Sequence, residues 1–182
     1  GIPGTNPLPT TFINTAGGVR GVDCIFMSGG NWFPQNDVTY YMEVVAHSYF
    51  IASRALGVGV SASDRELIFT NAPTLPGWNI GGNSFPAGSN QGRVDPPQNV
   101  TIGQVTKFAY SIGNGRRVAA QNGQVGVPNT NVVPRIITAG VTLYLGGAPG
   151  EFPNPSGMPL RYRRFRIYDY AMTDAELVAL TT

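Results

Sequence analysis

Leu160–Thr182 reads LRYRRFRIYDYAMTDAELVALTT. It combines a strand rich in Arg and aromatic residues with a short helix that follows at once. Side chains alternate between the two faces of a strand. Phe165, Ile167 and Tyr162 are expected on one face, and Arg164 and Arg166 on the other. Tyr162 and Phe165 are three apart, so the pattern needs one extra residue near Arg163 and Arg164, and a β-bulge is expected there. The helix is marked by its start. Thr173 is the expected N-cap, and Glu176, three residues on, completes a capping box. Met172 and Leu177 have the spacing of a hydrophobic staple. Asp174 and Glu176 also suit the positive end of the helix dipole.

Upstream of this closure the chain reads as a series of short strands. Asp37–Ser48 (DVTYYMEVVAHS) places Tyr40, Met42, Val44 and Ala46 on one face, which is the expected core face. Val100–Ile112 alternates too, with Thr106, Phe108, Tyr110 and Ile112 facing inward. Asn114-Gly115 and Asn122-Gly123 are tight-turn signals on either side of Arg116–Ala120. Further strands are expected at Thr10–Thr15, Val22–Met27, Phe50–Val60, Glu66–Thr70 and Val141–Leu145. Gly81–Gln98 (GGNSFPAGSNQGRVDPPQ) reads as a long polar loop, and long loops are often functional. About ten to thirteen strands with no alternating helices argue for an antiparallel β-sandwich or jelly roll.

The closing run LRYRRFRIYDYAMTDAELVAL, with LYLGG before it, resembles the end of laminin-G-like and concanavalin A-like lectin domains. It is similar in particular to a variant that closes many bacteriophage tail and fibre proteins. That variant pairs an upstream Arg…Asn-Gly hairpin, here Arg116–Gln124, with a terminal Arg-Arg-x-Arg and a Leu-Ser-x-Ala-Glu-Leu-like helix, here Arg163–Thr181. The resemblance implies an all-β, concanavalin A-like sandwich with one short C-terminal helix. It further implies a lectin-like, carbohydrate-binding role in host attachment at a virion surface. The implied partners are a cell-surface glycan and other virion subunits, in a homotrimer.

Composition fits an all-β chain with many turns. The 182 residues include 24 Gly and 15 Pro, and only 12 % are charged, about half the usual share. Residues 1–9 read as a linker or N-terminal arm, and residues 10–182 as one lectin-like domain. The chain begins with Gly1 rather than Met, as expected of a piece of a longer protein. A net charge of +2 does not demand an acidic partner, and no nucleic-acid footprint is expected. No apolar run approaches the roughly 18 residues of a membrane span. Cys24 is the single cysteine, in the apolar run VDCIFM, and is expected to be buried and inert.

No catalytic set is expected. His47 is the only histidine and no nucleophile elbow accompanies it. A glycosidase needs two carboxylates about 5–10 Å apart, but the acids are scattered and Glu43 stands alone on its strand. No metal is expected. Asp23, Asp37, Asp64, Asp95 and Asp169 form no Asp-x-Asn-x-Asp loop, so calcium, which related lectins hold, is not assigned.

Sugar recognition uses an aromatic platform with amide and charged groups around it. Trp32 with Asn36, and Trp78 with Asn83, Asn90 and Arg93, are the candidate ligand-binding residues. Trp78 suits a core position equally well. Arg161, Arg163, Arg164 and Arg166 read as a solvated face covering aromatics. A structural or trimerisation module without a ligand of its own, and a polysaccharide hydrolase, are the alternative functions.

Overall fold

The computed structural model describes residues 25–28, 33–34, 36–47, 54–70, 79–130, 141–146 and 160–182. The strands are β1 (Ile25–Ser28), β2 (Val38–Ala46), β3 (Arg54–Ser61), β4 (Asp64–Thr70), β5 (Ile80–Phe85), β6 (Val105–Gly113), β7 (Arg116–Gln121), β8 (Gln124–Val125), β9 (Thr142–Leu145) and β10 (Leu160–Tyr168). One helix, α1 (Asp174–Thr181), follows. The strands form two five-stranded antiparallel sheets, ordered β1-β9-β3-β4-β5 and β10-β2-β6-β7-β8. This is the jelly-roll β-sandwich. The expected strand at Thr10–Thr15 and the first three residues of that at Val22–Met27 lie outside the described residues, as do the N-terminal arm, Trp32 and Trp78.

The alternation of β2 and β6 sets the core. Tyr40, Met42 and Val44 from β2, with Phe108, Tyr110 and Ile112 from β6, point between the sheets and are buried. They meet Leu56, Val58, Ile68, Ile80 and Leu143 from the facing sheet. Phe33, Tyr40 and Tyr110 stack in a row, with centroids 6.3 and 6.4 Å apart. Both Asn-Gly turns form as expected. Asn114 (φ 52°) and Gly115 (φ 69°), then Asn122 (φ 45°) and Gly123 (φ 79°), hold the positive φ that tight hairpin turns need.

Among the described residues β10 is an edge strand, and the expected bulge lies between Tyr162 and Arg164. The bulge keeps Tyr162, Phe165 and Ile167 packed against the core while the arginines stay outside. An exposed edge invites pairing with other chains, and a bulge with dense charge opposes that.

α1 closes the outer face of this sheet. The capping box is complete: Thr173 N donates to Glu176 Oε2 at 2.7 Å, and Glu176 N donates to Thr173 Oγ1 at 3.3 Å. Met172 and Leu177 pack on Tyr41, Ala109, Val118 and Ala120, a second apolar cluster on the far side of the sheet. The alanines leave room for the helix. Full burial of a leucine such as Leu177 is worth about 2 kcal/mol.

One expectation is corrected. Residues 81–98 are not a continuous loop, because Ile80–Phe85 is strand β5. Gly81 and Gly82 belong to the strand for a packing reason. A side chain at Gly82 would collide with the Tyr110 ring, and one at Gly81 with Arg93 and Asp95. The glycines mark close approach in a strand, not a turn.

Candidate functional site

The outer edge of β5 gathers most of the candidate ligand-binding residues that are described. β5 pairs with β4 in the register Phe69↔Gly81, Leu67↔Asn83 and Arg65↔Phe85. A short 3₁₀ turn, Pro86–Gly88, then sends the chain back along β5. Gln91 N donates to Ser84 O at 3.1 Å, and Val94 exchanges two backbone bonds with Gly82, at 3.0 and 2.9 Å. Residues 91–95 thus add a short extra rung to the sheet edge.

Arg93 crosses over Gly81. Its Nε donates to Asp95 Oδ1, and its Nη2 donates to Asn79 Oδ1 at 2.9 Å and to Asn79 O at 3.2 Å. Its guanidinium lies 4.7 Å from the centroid of the Phe69 ring, and that of Arg54 lies 5.1 Å away. Cation–π contact of this kind holds a guanidinium flat on an aromatic face. Burial is the main influence on Arg93 and lowers its pKa, while the bond and charge of Asp95 raise it. The Arg93 side chain is 11 % exposed and that of Asp95 is 37 % exposed, so the carboxylate is the accessible half of the pair.

Asn83 and Asn90 are brought together. Asn83 Nδ2 donates to Asn90 Oδ1 at 2.9 Å, and Gly92 N donates to the same oxygen at 2.9 Å. Asn83 is buried, and its Oδ1 accepts from Ser84 N at 2.8 Å. Its amide therefore shapes the return segment, while Asn90 is exposed. Asn36 is exposed and lies on the other sheet, two residues ahead of β2.

Beneath this corner is a residue that sequence reasoning missed. Arg117, on β7 of the opposite sheet, is fully buried. Its Nη1 donates to Gly92 O at 3.0 Å, to Ser84 Oγ at 3.1 Å and to Asn83 Oδ1 at 3.4 Å, and its Nη2 donates to Gln91 O. Asn129 Nδ2 donates to Gln91 O as well, at 3.0 Å. Gln121, two rungs further along β7, donates to Asn99 O at 3.1 Å. The inward polar residues of β7 therefore hold the return segment at both ends. The Tyr110 hydroxyl is buried beside Arg117. Burial raises its pKa most; the charge of Arg117 opposes the rise, and that of buried Glu66 adds to it.

The signal for Arg117 was present. Once Asn114-Gly115 fixes the hairpin, Arg117 must pair with Ile112, a core-facing residue. Phe69 and Arg54 gave no such sign, because only the register of β3 on β4 makes them neighbours.

His47 is exposed at the end of β2. Among the described residues, no three His, Cys, Asp or Glu side chains come together to hold a metal.

No protein-family model matches the chain, and no curated protein matches its sequence. Solved structures do match in fold. The native heptameric SAP-like pentraxin from Limulus polyphemus aligns with a TM-score of 0.67 at 16 % identity, covering 81 % of this chain and 70 % of the pentraxin. The Ruminococcus gnavus IT-sialidase CBM40 bound to α2,3-sialyllactose aligns with a TM-score of 0.66 at 17 % identity, covering 81 % and 84 %. Domain 4 of AbnA, a GH43 extracellular arabinanase from Geobacillus stearothermophilus, in complex with arabinotriose, aligns with a TM-score of 0.63 at 18 % identity, covering 94 % and 80 %. These likenesses establish the lectin-like β-sandwich fold.

Proposed function

We propose that this chain is a non-catalytic carbohydrate-binding module that attaches a bacteriophage fibre or tail to host-surface glycans. The observation that carries the reading is the β5 corner. There a half-buried aromatic ring, two guanidinium groups, the accessible Asp95 carboxylate and the exposed Asn90 amide lie on or beside one sheet edge. Sugars combine apolar ring faces with many hydroxyls, so they need that mixture. Asp95 and Asn90 supply the accessible polar groups, and Phe69 with its guanidiniums supplies the flat surface. Arg117 and Asn83 hold the corner in shape before any ligand arrives, which lowers the ordering cost of binding.

Two structural neighbours bear an oligosaccharide, and this supports the same class of ligand here. The virion setting rests on the closing Arg163–Thr181 run and its likeness to phage fibre proteins. In that setting the module sits on the virion surface as a homotrimer. The test is a glycan array together with binding to host envelope fractions. Binding to at least one glycan, weakened by Asp95→Ala, is expected. A folded chain that binds no glycan and no envelope fraction overturns the reading. Sedimentation tests the assembly, with a trimer expected and a monomer contradicting it.

A further inference from the structure

Among the described residues, the outer face of the opposite sheet is only partly covered. α1 lies over β6, β7 and β8. The β10–β2 half beside it carries a row of cations. The bulge sets Arg161 opposite Val45, Arg164 opposite Glu43 and Arg166 opposite Tyr41. Val45, Glu43 and Tyr41 belong to the outward set of β2, since Tyr40, Met42 and Val44 fill the core. All three arginines therefore share the outer face. Without the bulge, Arg161 would fall on the opposite face from Arg164 and Arg166. The bulge that keeps Phe165 and Ile167 in the core thus also gathers the arginines.

Among the described residues the row is exposed and undercompensated. Arg161, Arg164 and Arg166 are all exposed, and so is Arg163 at the bulge. Arg164 is held by Glu43 at 3.2 Å and remains 52 % exposed. Arg161 has no acidic partner among the described residues, and Arg163 acts on Glu43 only through its charge. Lys107 stands opposite Glu43 on β6, and its Nζ donates to Thr182 O. Among the described residues, Glu43 is the acid on this surface, and Asp169 follows at the end of β10. At the far end the row runs into an aromatic pair. Tyr168 meets Tyr170 edge to face at 6.1 Å, Arg166 Nη1 is 3.5 Å from the Tyr168 hydroxyl, and Tyr170 is 43 % exposed.

We propose that Arg161, Arg164, Arg166 and Tyr170 form a second, linear binding surface for an acidic polysaccharide. Arg161 to Arg166 spans roughly 15 Å of strand, longer than any single anion but suited to carboxylates or sulfates repeated along a chain. Guanidinium groups take such anions through paired, charge-assisted bonds. Tyr170 offers a ring face to a sugar. Exposed Asp169 offers an acceptor to hydroxyl donors, which a polysaccharide has and a DNA backbone lacks. The small overall charge of the chain, +2, also speaks against a surface built for nucleic acid. Edge protection alone needs only a bulge or a single charge, and does not account for the aromatic end of the row. This surface lies on the opposite sheet from the β5 corner and does not rest on it.

The test uses the full chain with polygalacturonate, heparin, neutral dextran and a short duplex DNA, at about 50 mM salt and again at about 1 M, where the Debye length is about 3 Å. Polygalacturonate or heparin is expected to bind at low salt and to be released at high salt, with dextran inactive at this surface. Arg161→Gln with Arg166→Gln is expected to weaken binding at least about tenfold. Arg161→Lys with Arg166→Lys is expected to recover part of it. Tyr170→Ala is expected to weaken polysaccharide binding and leave any residual DNA binding unchanged. Thermal melting confirms that each variant is folded, and single Arg161→Gln and Arg166→Gln variants replace the double variant if it is not. The proposal is overturned if neither acidic polysaccharide binds at low salt, or if binding survives loss of the arginines. It is also overturned if DNA binds more tightly than both polysaccharides through the same arginines.

Discussion

The sandwich is closed in two places by opposite means. At the C terminus, α1 settles on β6 and β7 through Met172 and Leu177 over small alanines, and a local capping box fixes where it begins. At the β5 edge, residues 86–95 insert Val94 into the core and are otherwise held by polar bonds, from Arg117, Asn83, Asn90 and Asn129. Apolar closure is tolerant of detail, since volume and pattern are enough. Polar closure is not, since a buried group deprived of its partner costs its full desolvation. The tolerant region is structural, and the demanding one holds the candidate site. Buried polar networks that are fully satisfied fix one arrangement, and a binding corner benefits from that.

The contrast is open to attack by mutation. Arg117→Ala is expected to cost the most, about 3–5 kcal/mol, because it removes the donor to Gly92 O and Ser84 Oγ, leaves Gln91 O and Asn83 Oδ1 with one donor fewer, and opens a cavity. Arg117→Met fills the space but restores no donor, so it recovers only part of the loss. Denaturant unfolding of both variants checks this. Leu177→Ala is expected to cost about 2–5 kcal/mol by cavity formation, toward the lower end because its cluster is small. It should leave glycan binding at the β5 corner unchanged, and a binding loss equal to that of Arg117→Met would erase the distinction between the two closures. Thr173→Ala is expected to cost about 1 kcal/mol, read from the shift in melting midpoint.

The smallest effect concerns pH. Glu43 accepts from the Tyr41 hydroxyl at 2.7 Å, and that bond, helped by Arg164, holds its carboxyl below the usual carboxylate range. Its stabilising contribution is therefore complete above that range and fades as the pH falls through the lowered value. Melting of Glu43→Gln against the parent chain, from about pH 5 to about pH 3, should show a flatter acid limb in the variant. Parallel acid limbs would remove Glu43 from the account.

Much of the fold could be read before any coordinates. The bulge beside Arg163, the capping box, both Asn-Gly turns and the inward faces of β2 and β6 are local patterns, and local patterns sit in the sequence itself. The β5 edge was misread for the same reason. Gly82 looks like a loop residue until Tyr110, nearly thirty residues away, is seen to need the space, and Gly81 until Arg93 and Asp95 are seen to lie over it. Of the candidate site, Asn83, Asn90 and Arg93 do come together. Phe69, Arg54 and Asn79 join them only through strand pairing. Arg117 lay between these cases, since its buried position follows from the hairpin register and the face of Ile112.

Hydrogen exchange of the full chain, with and without a glycan selected on the array, tests the central claim most directly. Slowed exchange of the amides in residues 79–95 on adding the glycan, with α1 unaffected, is the predicted result. No change at these amides, with protection confined to β10 and β2, would contradict it and move sugar recognition to the opposite sheet.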